Sequence, residues 1–195
     1  VTFLSAFYEH SRQTSFIIIR DISEKFERQA LYDALTNLPN RRGIQKFIDH
    51  EINRAKRQQE QLTLILCDID RFKQVNDNYG HDGGDIALRH VADLFKEVIR
   101  DQDGVARWGG EEFLFVLPTT NENNGVVLAE KIRARLETTP VQIQNTSLTI
   151  TASFGVAQIN LANGLNNALS LADKALYKAK EKGRNKVLSA SSLIP

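Results

Sequence analysis

Two glycines followed at once by two carboxylates stand between apolar, strand-forming segments, in the string Arg107-Trp108-Gly109-Gly110-Glu111-Glu112-Phe113. The Gly-Gly pair predicts a two-residue β-hairpin turn of type I′, because both central positions of that turn need positive φ. A hairpin tip without Cβ atoms also lets the backbone approach a ligand closely. Glu111 and Glu112 would leave this turn on opposite faces of the second strand. Such a tip can place acid groups beside a phosphate-bearing ligand and its metal, although a surface hairpin with two solvated glutamates is the commoner arrangement.

A second pair of carboxylates, Asp68 and Asp70, follows an apolar run over residues 62–67. The run predicts a central strand buried on both faces, and alternation then puts both carboxylates on one face at its end. Carboxylates held that close repel each other unless a cation lies between them or one binds a proton. Oxygen ligands suit Mg²⁺, which takes a few carboxylates together with substrate phosphates. An isolated Asp-x-Asp at a strand end most often only marks where the strand meets solvent. Here the predicted sheet brings the glycine hairpin beside it, so we expect the two acid pairs to converge.

Polar groups suited to a nucleotide follow in a predicted loop, residues 68–85. Lys73 can reach a phosphate as a point charge, and Asn76 and Asp85 together offer the donor and acceptors that read a purine edge. Asn and Asp also favour turns and helix N-caps, which is the alternative explanation. His81 is more typical of a residue that orders the loop than of a catalyst.

Basic side chains crowd the end of the last predicted helix, where either the helix dipole or a bound phosphate explains them. They are Lys178, Lys180, Lys182 and Arg184.

Bulk composition fits a soluble globular enzyme without pointing to one. The chain has 195 residues, of which 42% are hydrophobic and 25% charged, and its net charge is +1. That balance gives no global attraction to nucleic acid or to an anionic membrane surface. The single cysteine, Cys67, allows no internal disulfide, suits a reducing cytosol and lies in an apolar run, as a buried residue would. There is no spanning segment and no signal peptide, and the lack of methionine and the start at Val1 indicate a fragment of a longer protein.

The periodicity of the apolar residues predicts an α+β fold. Its palm-like βαββαβ core has a mostly antiparallel central sheet flanked by helices, with the helices between its strands on one side, and an N-terminal linker helix precedes it. The predicted helices span residues 42–59, 86–99, 123–137 and 165–182, and the predicted strands span 62–67, 105–108, 113–117, 148–159 and 187–188. Nucleotidyl-transferring palm domains share this plan, but a fold alone does not assign a function.

Five separated motifs make the chain resemble the GGDEF domain, the catalytic domain of diguanylate cyclases, in its Gly-Gly-Glu-Glu-Phe variant. They cover about four fifths of the chain, from residue 33 to residue 187. The motifs are DALTNLPNRR at 33–42, DIDRFKQVND at 68–77, GHDGGD at 80–85, RWGGEEF at 107–113 and ADKALYKAKEKGRN at 172–185.

The resemblance implies condensation of two GTP molecules into cyclic di-GMP, with release of two pyrophosphates. It implies that each of two domains holds one GTP and that the active site closes only in an antiparallel homodimer. Two divalent cations, Mg²⁺ or Mn²⁺, would be held by Asp68, the carbonyl of Ile69, Glu111 and Glu112, roughly 3.5–4 Å apart. Glu111 or Glu112 would be the base for the ribose 3′-hydroxyl, and Glu112 is favoured because Glu111 is engaged by metal.

The resemblance also implies a set of substrate contacts. They are Asn76 and Asp85 for guanine, in a pocket near Leu35 and Leu38; the Phe72 amide, Lys73, Lys180 and Arg184 for the phosphates; and His81, Gly109 and Gly110 beside them. Lys73 would also stabilise charge on the transferring phosphoryl group. Asp70 would support the site without binding metal directly.

An inhibitory product site is a further implication. Arg100-Asp101-Gln102-Asp103 fits the family's Arg-x-x-Asp motif at the correct offset upstream of Gly109. The planar fork of arginine suits a guanine edge or a phosphate, although Arg100 can equally act as a cation at a helix C-terminus. The family often adds arginines from the following helix, and here that region offers Val127 and Lys131.

The domain organisation follows from these matches. We expect residues 1–22 to be the end of a PAS-like sensor domain, residues 23–35 a linker helix and residues 33–190 the GGDEF domain. A strand pair that merely leads into the linker is the alternative for the first segment. The expected location is the cytoplasm, in a protein that can be membrane-anchored elsewhere.

Two rival functions stay open. One is an inactive GGDEF domain that binds GTP or cyclic di-GMP as a receptor or allosteric module. The other is a palm-like enzyme that acts on a different nucleotide. The complete motif set favours the cyclase over the inactive receptor.

Overall fold

The computed structural model describes residues 25, 26 and 28–193, of which residues 25, 26 and 28–31 are helical. The helices that follow are α1 (Arg41–Gln58), α2 (Phe72–Val98), α3 (Glu122–Thr138) and α4 (Gly164–Glu181). The strands are β1 (Leu62–Ile69), β2 (Gly104–Arg107), β3 (Glu112–Pro118), β4 (Val141–Ile143), β5 (Thr146–Leu148), β6 (Ala152–Gln158) and β7 (Val187–Ser189). None of the helices in the described residues is both long enough and apolar enough to cross a membrane.

Strand β1 lies at the centre of a five-stranded sheet with the order β2-β3-β1-β6-β7. Its neighbours β3 and β6 run antiparallel to it, and β7 runs parallel to β6. Every residue of β1 is buried, because helices cover both faces of the sheet. The predicted α+β architecture with a mostly antiparallel sheet is therefore confirmed.

Alternation along β1 divides the core into two layers. Ile65 and Cys67 face α2 and α3, whereas Leu64 and Leu66 face α1 and α4. The helices between the strands of the βαββαβ core thus lie on one side, as predicted. Each fully buried Leu or Ile contributes about 1.5–3 kcal/mol to stability. Burial also raises the pKa of the Cys67 thiol well above its ordinary value, as expected of a packing residue.

The predicted loop over residues 68–85 is wrong, because most of it is helical. Helix α2 begins at Phe72, directly after Arg71, whose φ of 54° turns the chain out of β1. Gly80, with φ 73° and ψ 174°, interrupts the helical backbone and divides α2 into two halves. Polar residues dominate the first half, so its helical period is not visible in the apolar pattern.

Two further boundaries differ from the prediction. The predicted strand 148–159 is shorter, because β6 begins at Ala152 and Leu148 ends the separate β4–β5 hairpin. The linker helix, predicted to reach residue 35, ends at Leu31, and residues 33–40 form a turn. The predicted PAS-like segment, residues 1–22, lies outside the described residues, as does the start of the linker helix.

Candidate active site

The glycine hairpin is wider than predicted. The pairing of β2 with β3 ends at Arg107 and Phe113, and residues 108–111 form the loop between the strands. Neither Gly109 nor Gly110 has a positive φ, so the predicted type I′ turn is wrong. A Cβ on Gly109 would lie 2.5 Å from Oε2 of Glu112, a contact that rotation of the exposed Glu112 side chain can relieve.

The side chain of Arg107 holds this wider loop in place. Its guanidinium donates to the Gly110 carbonyl from Nε at 3.0 Å and from Nη2 at 2.7 Å. Nη1 donates to both carboxylate oxygens of Asp33 at 3.1 Å, and the Arg107 amide donates to the Pro39 carbonyl at 3.0 Å. The loop is thereby tied to the turn that follows the linker helix, a connection that sequence reasoning missed.

Asp33 is the acidic partner in this connection. Thr36 donates to Oδ1 of Asp33 from its amide at 2.8 Å and from its hydroxyl at 2.7 Å. Burial acts to raise the pKa of Asp33, but these hydrogen bonds and the Arg107 guanidinium outweigh it and lower that pKa below its ordinary value. Asp33 is therefore an ionised structural anchor, and the charge complementarity of the two motifs is the signal that could have paired it with Arg107.

Three acid side chains meet at the end of β1. The register of β1 and β3 places Asp68 opposite Glu112, and both side chains lie on the α4 face of the sheet. The Glu111 carbonyl accepts a hydrogen bond from the Ile69 amide at 3.2 Å, which fixes Glu111 beside the same strand end. The hairpin thus lies beside the end of β1, as predicted, whereas Asp70 of the second acid pair bonds to other residues.

Burial raises the pKa of two carboxyl groups at the end of β1, Asp68 and Glu111. Lys180, in the last turn of α4, donates from Nζ to Oδ2 of Asp68 at 2.8 Å. Burial nevertheless raises the pKa of Asp68, outweighing the Lys180 ammonium. Burial is also the main cause that raises the pKa of Glu111, assisted by the charges of Asp68 and Glu112 and opposed by Lys180. Such raised values are typical of functional sites.

Asp70 has a different environment, although it follows Asp68 by two positions. Its Oδ1 accepts from the Ser153 hydroxyl at 2.7 Å, and its Oδ2 accepts from the Thr151 hydroxyl at 2.8 Å and from the Asn185 amide at 2.9 Å. These bonds join β1 to β6 and to the segment after α4. The geometry agrees with the supporting role predicted for Asp70.

The donor chemistry of the cluster fits a hard divalent cation. The pKa values of Asp68 and Glu111 are raised, so a nearby positive charge would stabilise their ionised forms. Their oxygen atoms are the kind of ligand that Mg²⁺ prefers. Within residues 25, 26 and 28–193, no three acidic, His or Cys side chains stand together as a ready-made metal cage. Mg²⁺ commonly uses one or two carboxylates and completes its coordination shell with water and substrate phosphates.

The two predicted guanine-binding residues lie on either side of the kink in α2. Asn76 lies on the first half of α2 and Asp85 on the second. Gly84 faces Asn76 so closely that a Cβ on Gly84 would overlap the Asn76 Oδ1. The glycine before Asp85 is therefore required for the two halves to meet.

The other predicted contacts around α2 differ in burial. Leu38 is buried and Leu35 partly buried, in the core cluster that includes the start of α2. Lys73 and His81 are exposed on either side of the kink. Exposed side chains at these two positions are accessible to a ligand.

Two cavities open beside the acid cluster. One, of about 490 Å³, is lined by Glu112 and by α4 side chains that include Tyr177 and Lys180. The other, of about 380 Å³, is lined by Arg71, Arg184 and the first half of α2. The two predicted phosphate ligands on the C-terminal side, Lys180 and Arg184, therefore open to different cavities.

The predicted inhibitory motif forms a tight turn after α2. The Arg100 amide donates to Oδ2 of Asp103 at 3.1 Å, and the Asp103 amide donates to the Arg100 carbonyl at 2.9 Å. Burial raises the pKa of Asp103, while the Arg100 guanidinium is exposed. Lys131 is exposed on α3.

The chain has relatives among known protein sequences. The model of the family described as "Diguanylate cyclase, GGDEF domain" matches residues 30–186. The diguanylate cyclase DosC of Escherichia coli (strain K12) is 37% identical over 172 residues, which are 87% of this chain and 37% of DosC. Diguanylate cyclase A of Treponema denticola is 38% identical over 149 residues, which are 75% of this chain and 40% of that protein. The chain thus spans well under half the length of these relatives.

Solved structures share the whole sheet-and-helix arrangement. The coiled coil and GGDEF domain of DgcB from Caulobacter crescentus, in complex with c-di-GMP, matches with a TM-score of 0.86 at 30% identity and covers 92% of this chain and 95% of that one. The active GGEEF domain of a diguanylate cyclase from Vibrio cholerae matches with a TM-score of 0.72 at 39% identity and covers 77% and 96%. By sequence and by fold, then, the chain belongs to the GGDEF family of diguanylate cyclase domains.

Proposed function

We propose that this domain is a diguanylate cyclase, which joins two GTP molecules into cyclic di-GMP and releases two pyrophosphates. At each step the 3′-hydroxyl of one GTP attacks the α-phosphorus of the other. A P–O bond forms, the bond to pyrophosphate breaks and one proton leaves. The observation that carries the proposal is the acid cluster at the end of β1, where the pKa values of Asp68 and Glu111 are raised. The names of the relatives support it.

Two divalent cations, Mg²⁺ or Mn²⁺, belong to the proposal. Asp68, the Ile69 carbonyl, Glu111 and Glu112 would hold them, and when bound they lower the pKa of the 3′-hydroxyl and neutralise the triphosphate. Glu112 would take the proton, because its side chain is exposed and lines the cavity on the α4 side. Lys73 would stabilise negative charge on the transferring phosphoryl group.

The guanine of GTP would bind where the two halves of α2 meet. Asn76 offers a donor and an acceptor, and Asp85 accepts, which matches the polar edge of guanine. Support comes from the close approach of Asn76 to Gly84. The remaining contacts that we propose are Leu35, Leu38, His81, Gly109 and Gly110 around the nucleotide, and the Phe72 amide, Lys180 and Arg184 at its phosphates.

A homodimer completes the proposed mechanism. One domain holds one GTP, so the attacking hydroxyl must arrive with a second copy in antiparallel orientation. We place the dimer in the cytoplasm, with the PAS-like segment and linker helix upstream as the route by which a signal reaches the domain.

Product inhibition is proposed at Arg100, Asp103 and Lys131. In the described residues, Oδ1 of Asp103 is buried and has no hydrogen-bond partner, so it could accept from the N–H edge of a guanine once the turn uncovers it. Arg100→Ala should raise the cyclic di-GMP concentration that halves the rate. Unchanged inhibition in this variant would remove the assignment.

The experiment for the proposed function is GTP turnover with Mg²⁺, followed by chromatography of the products. We expect cyclic di-GMP and pyrophosphate. GTP binding without product in a dimeric preparation would favour the receptor function instead. Equal turnover of ATP, with base choice unaffected by Asp85→Ala, would favour a palm-like enzyme of different specificity.

A further inference from the structure

We propose that Lys180 is the internal counter-ion of Asp68, and that a divalent cation must displace its ammonium group before it can bind at the end of β1. Lys180 would therefore weaken metal binding when no nucleotide is present. This inference rests on the metal site of the proposed function, but it concerns a step before any chemistry.

The ion pair is direct and largely shielded from water. Nζ of Lys180 lies 2.8 Å from Oδ2 of Asp68, and the two side chains are 33% and 11% exposed. A carboxylate oxygen that accepts from an ammonium group at this distance cannot also coordinate Mg²⁺ at about 2.0–2.1 Å without placing two cations side by side. Ammonium and metal are therefore competitors for Oδ2 of Asp68, and a metal on the other oxygen, Oδ1, would still be repelled by the nearby ammonium charge.

The exchange must occur by rotation of the Lys180 side chain, because the backbone of α4 is fixed. At Gly155, β6 approaches α4 so closely that an added Cβ would overlap the Ala172 carbonyl oxygen and lie 2.5 Å from the Leu176 nitrogen. A flexible four-carbon stem can move an ammonium group where a helix cannot shift. The displaced group remains beside the cavity that Glu112 lines.

A triphosphate would give the displaced ammonium a new partner. The bound nucleotide would draw the Lys180 ammonium away from Asp68 and so favour metal binding. The bound metal would free the same ammonium for a phosphate and so favour nucleotide binding. Such coupling is reciprocal by thermodynamic necessity. Without Lys180, the metal should bind more tightly on its own, and the coupling between metal binding and nucleotide binding should weaken.

Mn²⁺ binding without nucleotide, measured by electron paramagnetic resonance of the free ion, tests the proposal on the full chain. We expect Lys180→Gln to bind Mn²⁺ about fivefold more tightly than wild type, as removal of a partly exposed competing ion pair predicts. Lys180→Arg keeps a cation and should resemble wild type. Lys178→Gln is the matched control, because Lys178 lies on the same helix but pairs with Glu181 at 2.7 Å.

Mn²⁺ affinity in Lys180→Gln that equals wild type or falls below it overturns the proposal, provided that circular dichroism shows the variant folded. Asp68→Asn should remove the Mn²⁺ site from both backgrounds, and retention of affinity there would place the site elsewhere. With a non-reactive GTP analogue, the gain in Mn²⁺ affinity should be larger in wild type than in Lys180→Gln. A chain that forms no cyclic di-GMP would refute the proposed function yet leave these metal measurements intact.

Discussion

Asp68 and Asp70 stand at the same end of β1 and on the same side of the sheet, yet their surroundings differ. Asp70 accepts three hydrogen bonds from protein groups that fix β6 and the segment after α4. Asp68 has an ion pair with Lys180, and burial still raises its pKa. Two identical side chains two positions apart thus have different partners, and we propose that Asp70 supports the fold while Asp68 takes part in the chemistry.

The largest expected effect follows from neutralising Asp68. We expect Asp68→Asn to lower the rate of cyclic di-GMP formation by about 10³-fold, since it removes a charge from the proposed metal site. Its free energy of unfolding should change by less than about 1 kcal/mol, because one partly exposed ion pair is lost. Asp70→Asn makes the same chemical change and is the matched control. We expect it to lower the free energy of unfolding and to leave the rate per folded molecule nearly unchanged. The reverse pattern would break the comparison.

Truncation of Asp70 should affect the fold. Asp70→Ala leaves the hydroxyls of Thr151 and Ser153 and the Asn185 amide without their acceptor, which we expect to cost about 3 kcal/mol of unfolding free energy. Urea unfolding measures this cost. A loss below about 1 kcal/mol would mean that water replaces the carboxylate at low cost, and would undermine its structural role.

Arg107 holds the hairpin that carries the other two acid residues, so its substitution tests the hairpin's part in the site. Arg107→Ala should lower the cyclase rate by about 10- to 100-fold, because the Gly110 carbonyl and the adjacent acid cluster lose their fixed position. Arg107→Lys should not restore the rate, since a single ammonium cannot bind Asp33 and Gly110 as the guanidinium does. Full activity in the lysine variant would contradict a positioning role.

The smallest expected effects are two opposite responses of stability to pH. The folded state raises the pKa of Glu111, so wild type loses stability as pH rises past the ordinary glutamate value of about 4.5, and Glu111→Gln should be the more stable protein at pH 7. The folded state lowers the pKa of Asp33, so Asp33→Asn should be the less stable protein at pH 7. That deficit should shrink as pH falls through the ordinary aspartate value of about 3.8. Urea unfolding between about pH 3 and pH 7 compares the stability of the two variants with that of wild type. A change of the same sign in both variants at pH 7 would contradict the prediction.

The central strand and its acid neighbours were predictable because their signals are local. A continuous apolar run identifies β1 as a buried strand, and carboxylates directly after it must lie at its end. The predicted neighbour, the hairpin that carries Glu111 and Glu112, is confirmed by its pairing with β1.

The missed features depend on partners far away in the sequence. The Gly-Gly turn departs from type I′ because Arg107 closes a wider loop and binds Asp33, which is 74 positions earlier in the chain. The first half of α2 shows no helical pattern in its apolar residues, because it is mostly polar and ends at the interruption by Gly80. The pairing of Asp68 with Lys180 depends on where α4 packs, which no local pattern specifies.

GTP turnover across a range of protein concentrations, with Mg²⁺ and with Asp68→Asn and Asp70→Asn in parallel, tests the division between the two carboxylates most directly. We expect cyclic di-GMP, a specific activity that rises with protein concentration because two domains must meet, and loss of product in Asp68→Asn but not per folded molecule in Asp70→Asn. A dimeric preparation that binds GTP without forming cyclic di-GMP, or an Asp68→Asn variant as active as wild type, would contradict the assignment of the chemistry to this acid cluster.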